Sequence, residues 1–150
     1  MCAGDDERTG ADALRQLGDA LDCLNGRGGA MLQSAELGDV LAGLATLSGR
    51  FAAVRAAVLA RFDACRGYTA DGYGSSAAWL VAQARETRKG AGAEVRRMRA
   101  HERHPVIAAA QARGDVSDSW GAQIAEWTRP RPGLPRRGRG RPRLPGRCGA

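Results

Sequence analysis

The chain has 150 residues, of which 43% are hydrophobic and only 5% aromatic, with a formal net charge of +7. That length suffices for one domain with a core. Alanine supplies much of the apolar content, and its small side chains bury little area each, so a closely packed helical domain of modest stability is expected. The charge excludes a uniformly basic globule: residues 129–150 hold eight Arg and no acid, so residues 1–128 carry +7 − 8 = −1.

Cys2, Cys23, Cys65 and Cys148 lie 21, 42 and 83 residues apart. This spacing is neither a zinc pattern nor a dense disulfide framework. Scattered reduced thiols and a cytoplasmic location are the expectation. The first ten residues carry Asp5, Asp6 and Glu7 and no apolar core, unlike a signal peptide. No uncharged apolar run approaches the ~18–20 residues of a membrane span. No membrane partner, metal or cofactor is expected.

Residues 1–10 read as a frayed acidic start. Leu14, Leu17, Leu21 and Leu24 then recur at spacings of 3, 4 and 3, one narrow helical stripe that ends at Asn25-Gly26-Arg27-Gly28-Gly29. A second helix is expected from Ser34, with Ser34 as its cap and Glu36 and Asp39 near its positive end. Leu37, Val40, Leu44, Leu47, Phe51, Val54 and Val58 alternate spacings of 3 and 4 along it, a coiled-coil seam of three heptads. The favoured expectation is an antiparallel hairpin with the two stripes facing each other. A homodimer through Leu37–Val58 is the alternative, because the second helix is nearly twice as long as the first.

Asp71-Gly72-Tyr73-Gly74-Ser75-Ser76-Ala77-Ala78-Trp79-Leu80 follows the end of that helix near Cys65-Arg66-Gly67. Asp71-Gly72 marks a turn, Ser75 or Ser76 can cap the next helix, and Trp79 and Leu80 give it a large apolar anchor. This third helix is expected to reach about Arg85. Thr87 is a candidate cap for a fourth, roughly 91–103, whose thin stripe of Ala91, Val95 and Met98 is surrounded by Arg88, Lys89, Arg96, Arg97, Arg99 and Arg103. Pro105 suits the first turn of a fifth helix, Gly114 its stop, and Ser117 the cap of a sixth in which Trp120, Ile124 and Trp127 form a structural stripe. From Arg129 the pattern becomes Arg, Pro and Gly, and no packed core forms from that composition. The predicted fold is therefore all-α: a long antiparallel helical hairpin, three or four short helices over the remainder of 11–128, and a disordered basic tail over 129–150.

Few constellations carry chemistry. Residues 105–127 have the style of a helix–turn–helix, but the second helix offers Asp118 and Glu126 and no base, and phosphate repels such a helix. A plain helix–Gly–helix corner is the better reading. Six cations on 88–103 can neutralise phosphates, or form a solvated face. His101 and His104 sit at i, i+3 with no third metal ligand at suitable spacing, so exposed polar residues are the better reading. No nucleophile elbow, phosphate loop or carboxylate pair is legible. In the tail, Arg139-Gly140-Arg141-Pro142-Arg143 looks like an AT-hook, in which arginines enter a narrow minor groove. An out-of-frame end beginning near Thr128 is the favoured reading of this tail, with the hook and a nonspecific basic tail as the alternatives.

Residues 71–127 resemble the domain of unknown function 222, or 13E12 repeat, family of actinobacteria. The resemblance rests on Asp71-Gly72-Tyr73, Ser76-Ala77-Ala78-Trp79-Leu80, the basic helix after Thr87, Pro105, and Gly114-Asp115-Val116-Ser117 leading to Gln123-Ile124-Ala125. The leucine-rich helices before Asp71 suit it too. It implies a helical domain preceding an HNH nuclease, with a DNA-related role in a mobile element. An HNH module uses a His general base, a metal-binding His and an Asn. This chain has two His, and its one Asn is Asn25, far upstream. The expectation is a non-catalytic, nucleic-acid-associated domain truncated before its nuclease, with Arg88, Lys89, Arg96, Arg97, Arg99, Arg103, Arg139, Arg141 and Arg143 as DNA contacts. A coiled-coil interaction protein, or a gene product without independent function, is the alternative.

Overall fold

A computed structural model describes residues 10–27 and 33–128. The fold is all-α. Its helices are α1 (Gly10–Arg27), α2 (Ser34–Ala64), α3 (Ser76–Ala82), α4 (Arg88–Arg103), α5 (Pro105–Arg113) and α6 (Asp118–Trp127), with a 3₁₀ turn at Gly67–Thr69. No strand occurs among the described residues.

Local chemistry sets most helix ends. Ser75 Oγ accepts from Ala78 N, Thr87 Oγ1 from Gly90 N and Ser117 Oγ from Trp120 N, so α3, α4 and α6 each start on a hydroxyl cap. Pro105 occupies the first turn of α5, where its missing N–H costs nothing. Gly114 closes α5 at φ 87°, a left-handed angle that a Cβ disfavours. Asp71-Gly72 turns with Gly72 at φ 79°. Three boundaries differ from expectation, one of them the start of α4, at Arg88 rather than about 91. The cap residue of α2 is Gln33 rather than Ser34, and Glu36 reaches back to bond the Gln33 N–H at 2.8 Å. α3 stops at Ala82 rather than Arg85, because Arg85 adopts φ 55° and the Glu86 N–H bonds the Leu80 carbonyl.

The long helix α2 is the centre, and α4, α5 and α6 all pack against it. Its buried residues are Gly49, Ala52, Ala53, Ala56 and Leu59. These lie on one side of the helix at 100° per residue. Small side chains there let neighbouring backbones come close. A Cβ on Gly49 would collide with the Val116 carbonyl oxygen at the α5–α6 corner. The apolar core proper is Leu59, Leu80, Ala91 and Met98, with Phe62, Trp79, Val81 and Val95 partly buried around it. Trp79 docks α3 against the end of α2: its ring centroid lies 4.8 Å from that of Phe62, and its Nε1 donates to Asp71 Oδ2 at 2.7 Å.

The expected closure of two apolar stripes is not there. Leu14, Leu17, Leu21 and Leu24 are exposed, and α1 makes no packed interface with another described helix. On α2, Leu37 and Val40 are half-buried, while Leu44, Leu47, Phe51, Val54 and Val58 are exposed. The seam points away from the core because the opposite, small-residue side already takes α4, α5 and α6. The expected Trp120–Ile124–Trp127 stripe also divides. Ile124 is half-buried, but Trp120 and Trp127 are 58% and 67% exposed and pack edge-to-face on each other at 6.1 Å. Gly121, not a tryptophan, is the fully buried residue of α6.

Candidate nucleic-acid interface

The cations of α4 do not all share one environment. At 100° per residue, Arg88, Lys89, Arg96, Arg99 and Arg103 fall within an arc of about 100°. All five are exposed, and none forms an ion pair among the described residues. They form a stripe about 22 Å long at 1.5 Å per residue. Arg97 lies on the opposite side. Its Nη1 is 2.9 Å from Asp118 Oδ1 and its Nη2 4.0 Å from Glu94 Oε1. Glu94 also faces Arg55, whose Nε lies 3.3 Å from Glu94 Oε2 and whose Nη2 donates to Glu86 Oε1 at 2.6 Å. Glu86–Arg55–Glu94–Arg97–Asp118 thus links α2, the segment before α4, α4 itself and α6. It is a structural chain of charges, and Arg97 belongs to it rather than to the open stripe. The same chain occupies two of the acids beside or within the basic helix, Glu86 and Glu94.

Beside the stripe, α4, α5 and α6 enclose a cleft of about 320 Å³. Arg96, Arg99 and Arg103 border it, and Ala122 and Ala125 form part of its wall. Its acids are Asp118, paired with Arg97, and Glu126. On its floor is a polar anchor that the periodicity of the sequence does not disclose. Gln111 is 1% exposed. Its Oε1 accepts from His101 Nε2 at 2.7 Å, and its Nε2 donates to the Ser117 carbonyl at 3.2 Å. One buried amide therefore ties α4 to α5 and to the start of α6. Gly121 makes the room, since a Cβ there would strike the Gln111 amide. The only sequence signal is a lone Gln inside an otherwise apolar run, with a Gly ten residues on.

The two histidines have separate partners. His101 holds Gln111, whereas His104 Nε2 lies 3.0 Å from Thr128 Oγ1. No group of three or more His, Cys, Asp or Glu is placed to hold a metal among the described residues. Cys23 and Cys65 are free and exposed. Arg139, Arg141 and Arg143 lie outside the described residues. Trp79 and Leu80 belong to the apolar core and do not line the cleft.

A stripe of cations without carboxylate partners among the described residues, beside this cleft, is suited to bind repeated anions. Searches against family models, curated proteins and solved structures give no match for this chain.

Proposed function

We propose that this chain is a non-catalytic, nucleic-acid-associated helical domain, acting in the cytoplasm, that touches phosphate through the outer face of α4. The observation that carries the reading is the separation of charge on α4. Arg97 and Glu94 are committed to internal pairs, while Arg88, Lys89, Arg96, Arg99 and Arg103 stand in a row without a carboxylate partner among the described residues. Aligned cations gain little from each other and much from a polyanion, which releases counterions on binding. The resemblance of residues 71–127 to the 13E12 repeat supports the same reading and suggests association with an HNH-type nuclease supplied by another segment or another chain.

Binding of the full chain to duplex DNA at several salt concentrations tests it. Replacing Arg96, Arg99 and Arg103 by Gln is expected to weaken binding by on the order of tenfold or more. It is also expected to flatten the dependence of log K on log salt by roughly 0.9 for each phosphate no longer neutralised. The same substitutions in residues 1–128 separate the α4 stripe from the tail arginines. Unchanged affinity and slope in both would refute the assignment.

A further inference from the structure

α2 is apolar on two opposite sides, and only one of them is used. The inner side, Gly and Ala, is covered by α4, α5 and α6. The outer side carries the larger residues and is open, with Phe51 51% and Val54 61% exposed. Large side chains are normally the first to be buried, since each is worth ~1.5–3 kcal/mol. The outer side also keeps a strict 3–4 repeat over three heptads, the spacing by which one helix meets another along its length.

We infer that the outer face of α2, together with the leucine stripe of α1, is the interface between two copies of this chain. Three considerations select this occupant. First, α1 of the same chain is too short to cover the seam. Its stripe from Leu14 to Leu24 spans about 15 Å, against about 32 Å from Leu37 to Val58. Even folded back, it leaves the Val54 and Val58 end bare. Second, the area matches. Nine large apolar side chains are exposed on these two faces: four Leu on α1, and Leu44, Leu47, Phe51, Val54 and Val58 on α2. At roughly 60–100 Å² apiece they offer on the order of 800 Å², the contribution of one partner to a standard interface. A two-fold arrangement sets the same surface on itself, so one seam provides both halves. Third, α2 is long and apolar enough to cross a membrane, but its other side is taken by a charged helical layer. Arg55 in its middle is held by Glu86 and Glu94. Lipid cannot surround such a helix.

Sedimentation equilibrium of the full chain across micromolar concentrations gives the readout. The expected result is twice the 15.8 kDa chain mass. Leu47→Asp with Val54→Asp is expected to return it to one chain mass with an unchanged far-ultraviolet circular dichroism spectrum, because both positions are solvent-facing within a single chain. Should that pair unfold the protein, Leu47→Ala with Val54→Ala provides the milder comparison. It is expected to raise the dimer dissociation constant by ~tenfold or more, the equivalent of ~1.4 kcal/mol. A parent chain that stays monomeric throughout overturns the inference, as does a dimer of undiminished affinity in the folded variants. Flotation of monomeric parent chain with phosphatidylcholine–phosphatidylglycerol vesicles would overturn it in favour of a lipid surface.

Discussion

At the level of single residues, the fold depends on a few side chains that combine a large apolar body with one satisfied polar atom. Trp79 is the clearest. It packs at a tilt against Phe62 of α2, and its indole N–H is taken by Asp71 in the preceding turn. Removing the ring takes away both the docking surface of α3 and the tether to the turn. Trp79→Ala is expected to lower unfolding free energy by ~3–5 kcal/mol in a denaturant titration. A loss below ~1 kcal/mol would mean that the ring contributes no core packing. Trp120 and Trp127 are the counterexample. Their i, i+7 spacing reads as a buried stripe, yet both lie on the outside of α6. The Gln111 amide needs Gly121 beneath it, and that requirement turns inward a side of the helix about 100° round from the tryptophans.

At the level of elements, close approach matters more than side-chain size. Gly38 and Gly49 lie eleven residues apart, within about 20° of the same side of α2. Gly38 has open space around its Cβ position, whereas Gly49 abuts the Val116 carbonyl. Alanine favours a helix over glycine by roughly 0.5–1 kcal/mol. Overpacking against an unyielding backbone costs ~1–3 kcal/mol. Gly38→Ala is therefore expected to raise the melting temperature slightly, and Gly49→Ala to lower it. Equal shifts of the same sign would show that α2 and the α5–α6 corner do not pack closely. The contrast also explains the unexpected orientation of α2. Close backbone approach at Gly49 continues through Ala52, Ala53 and Ala56, and a leucine seam in that place would hold α5 and α6 away.

For the whole molecule, stability rests on a small core and a chain of charges. The buried apolar residues are mostly Ala, so the large-area contribution is modest. Arg55 lies between Glu86 and Glu94, and the Glu94 side chain is 13% exposed. Breaking such a pair leaves a carboxylate in poor solvent, a loss of ~3–5 kcal/mol when burial is complete and less here, because Arg55 itself is a third exposed. Arg55→Met is expected to cost about 2 kcal/mol. Arg15→Met, at the exposed i, i+3 pair with Asp12, is expected to cost below ~0.5 kcal/mol. Chemical denaturation of the two variants separates them, and comparable losses would remove the network from the account of stability.

Local features were legible in the sequence because their causes are local. Ser75, Thr87 and Ser117 cap helices with their own hydroxyls, Pro105 opens α5, and Gly114 closes it with a backbone angle that few other residues accept. The all-α class follows from the same signals and from helical periodicity. The basic character of α4 was visible as well, but not the division between Arg97 and the outer five cations, which depends on where Asp118 and Glu94 arrive in space. Gln111 and Arg55 were not legible at all, since each meets its partners across helices. Tertiary structure alone decided which side of α2 is inner. Periodicity identifies a stripe but not its partner, and here the small-residue side allows the closer backbone approach. That choice leaves the leucine seam facing outward and sets the arginine row beside an open cleft.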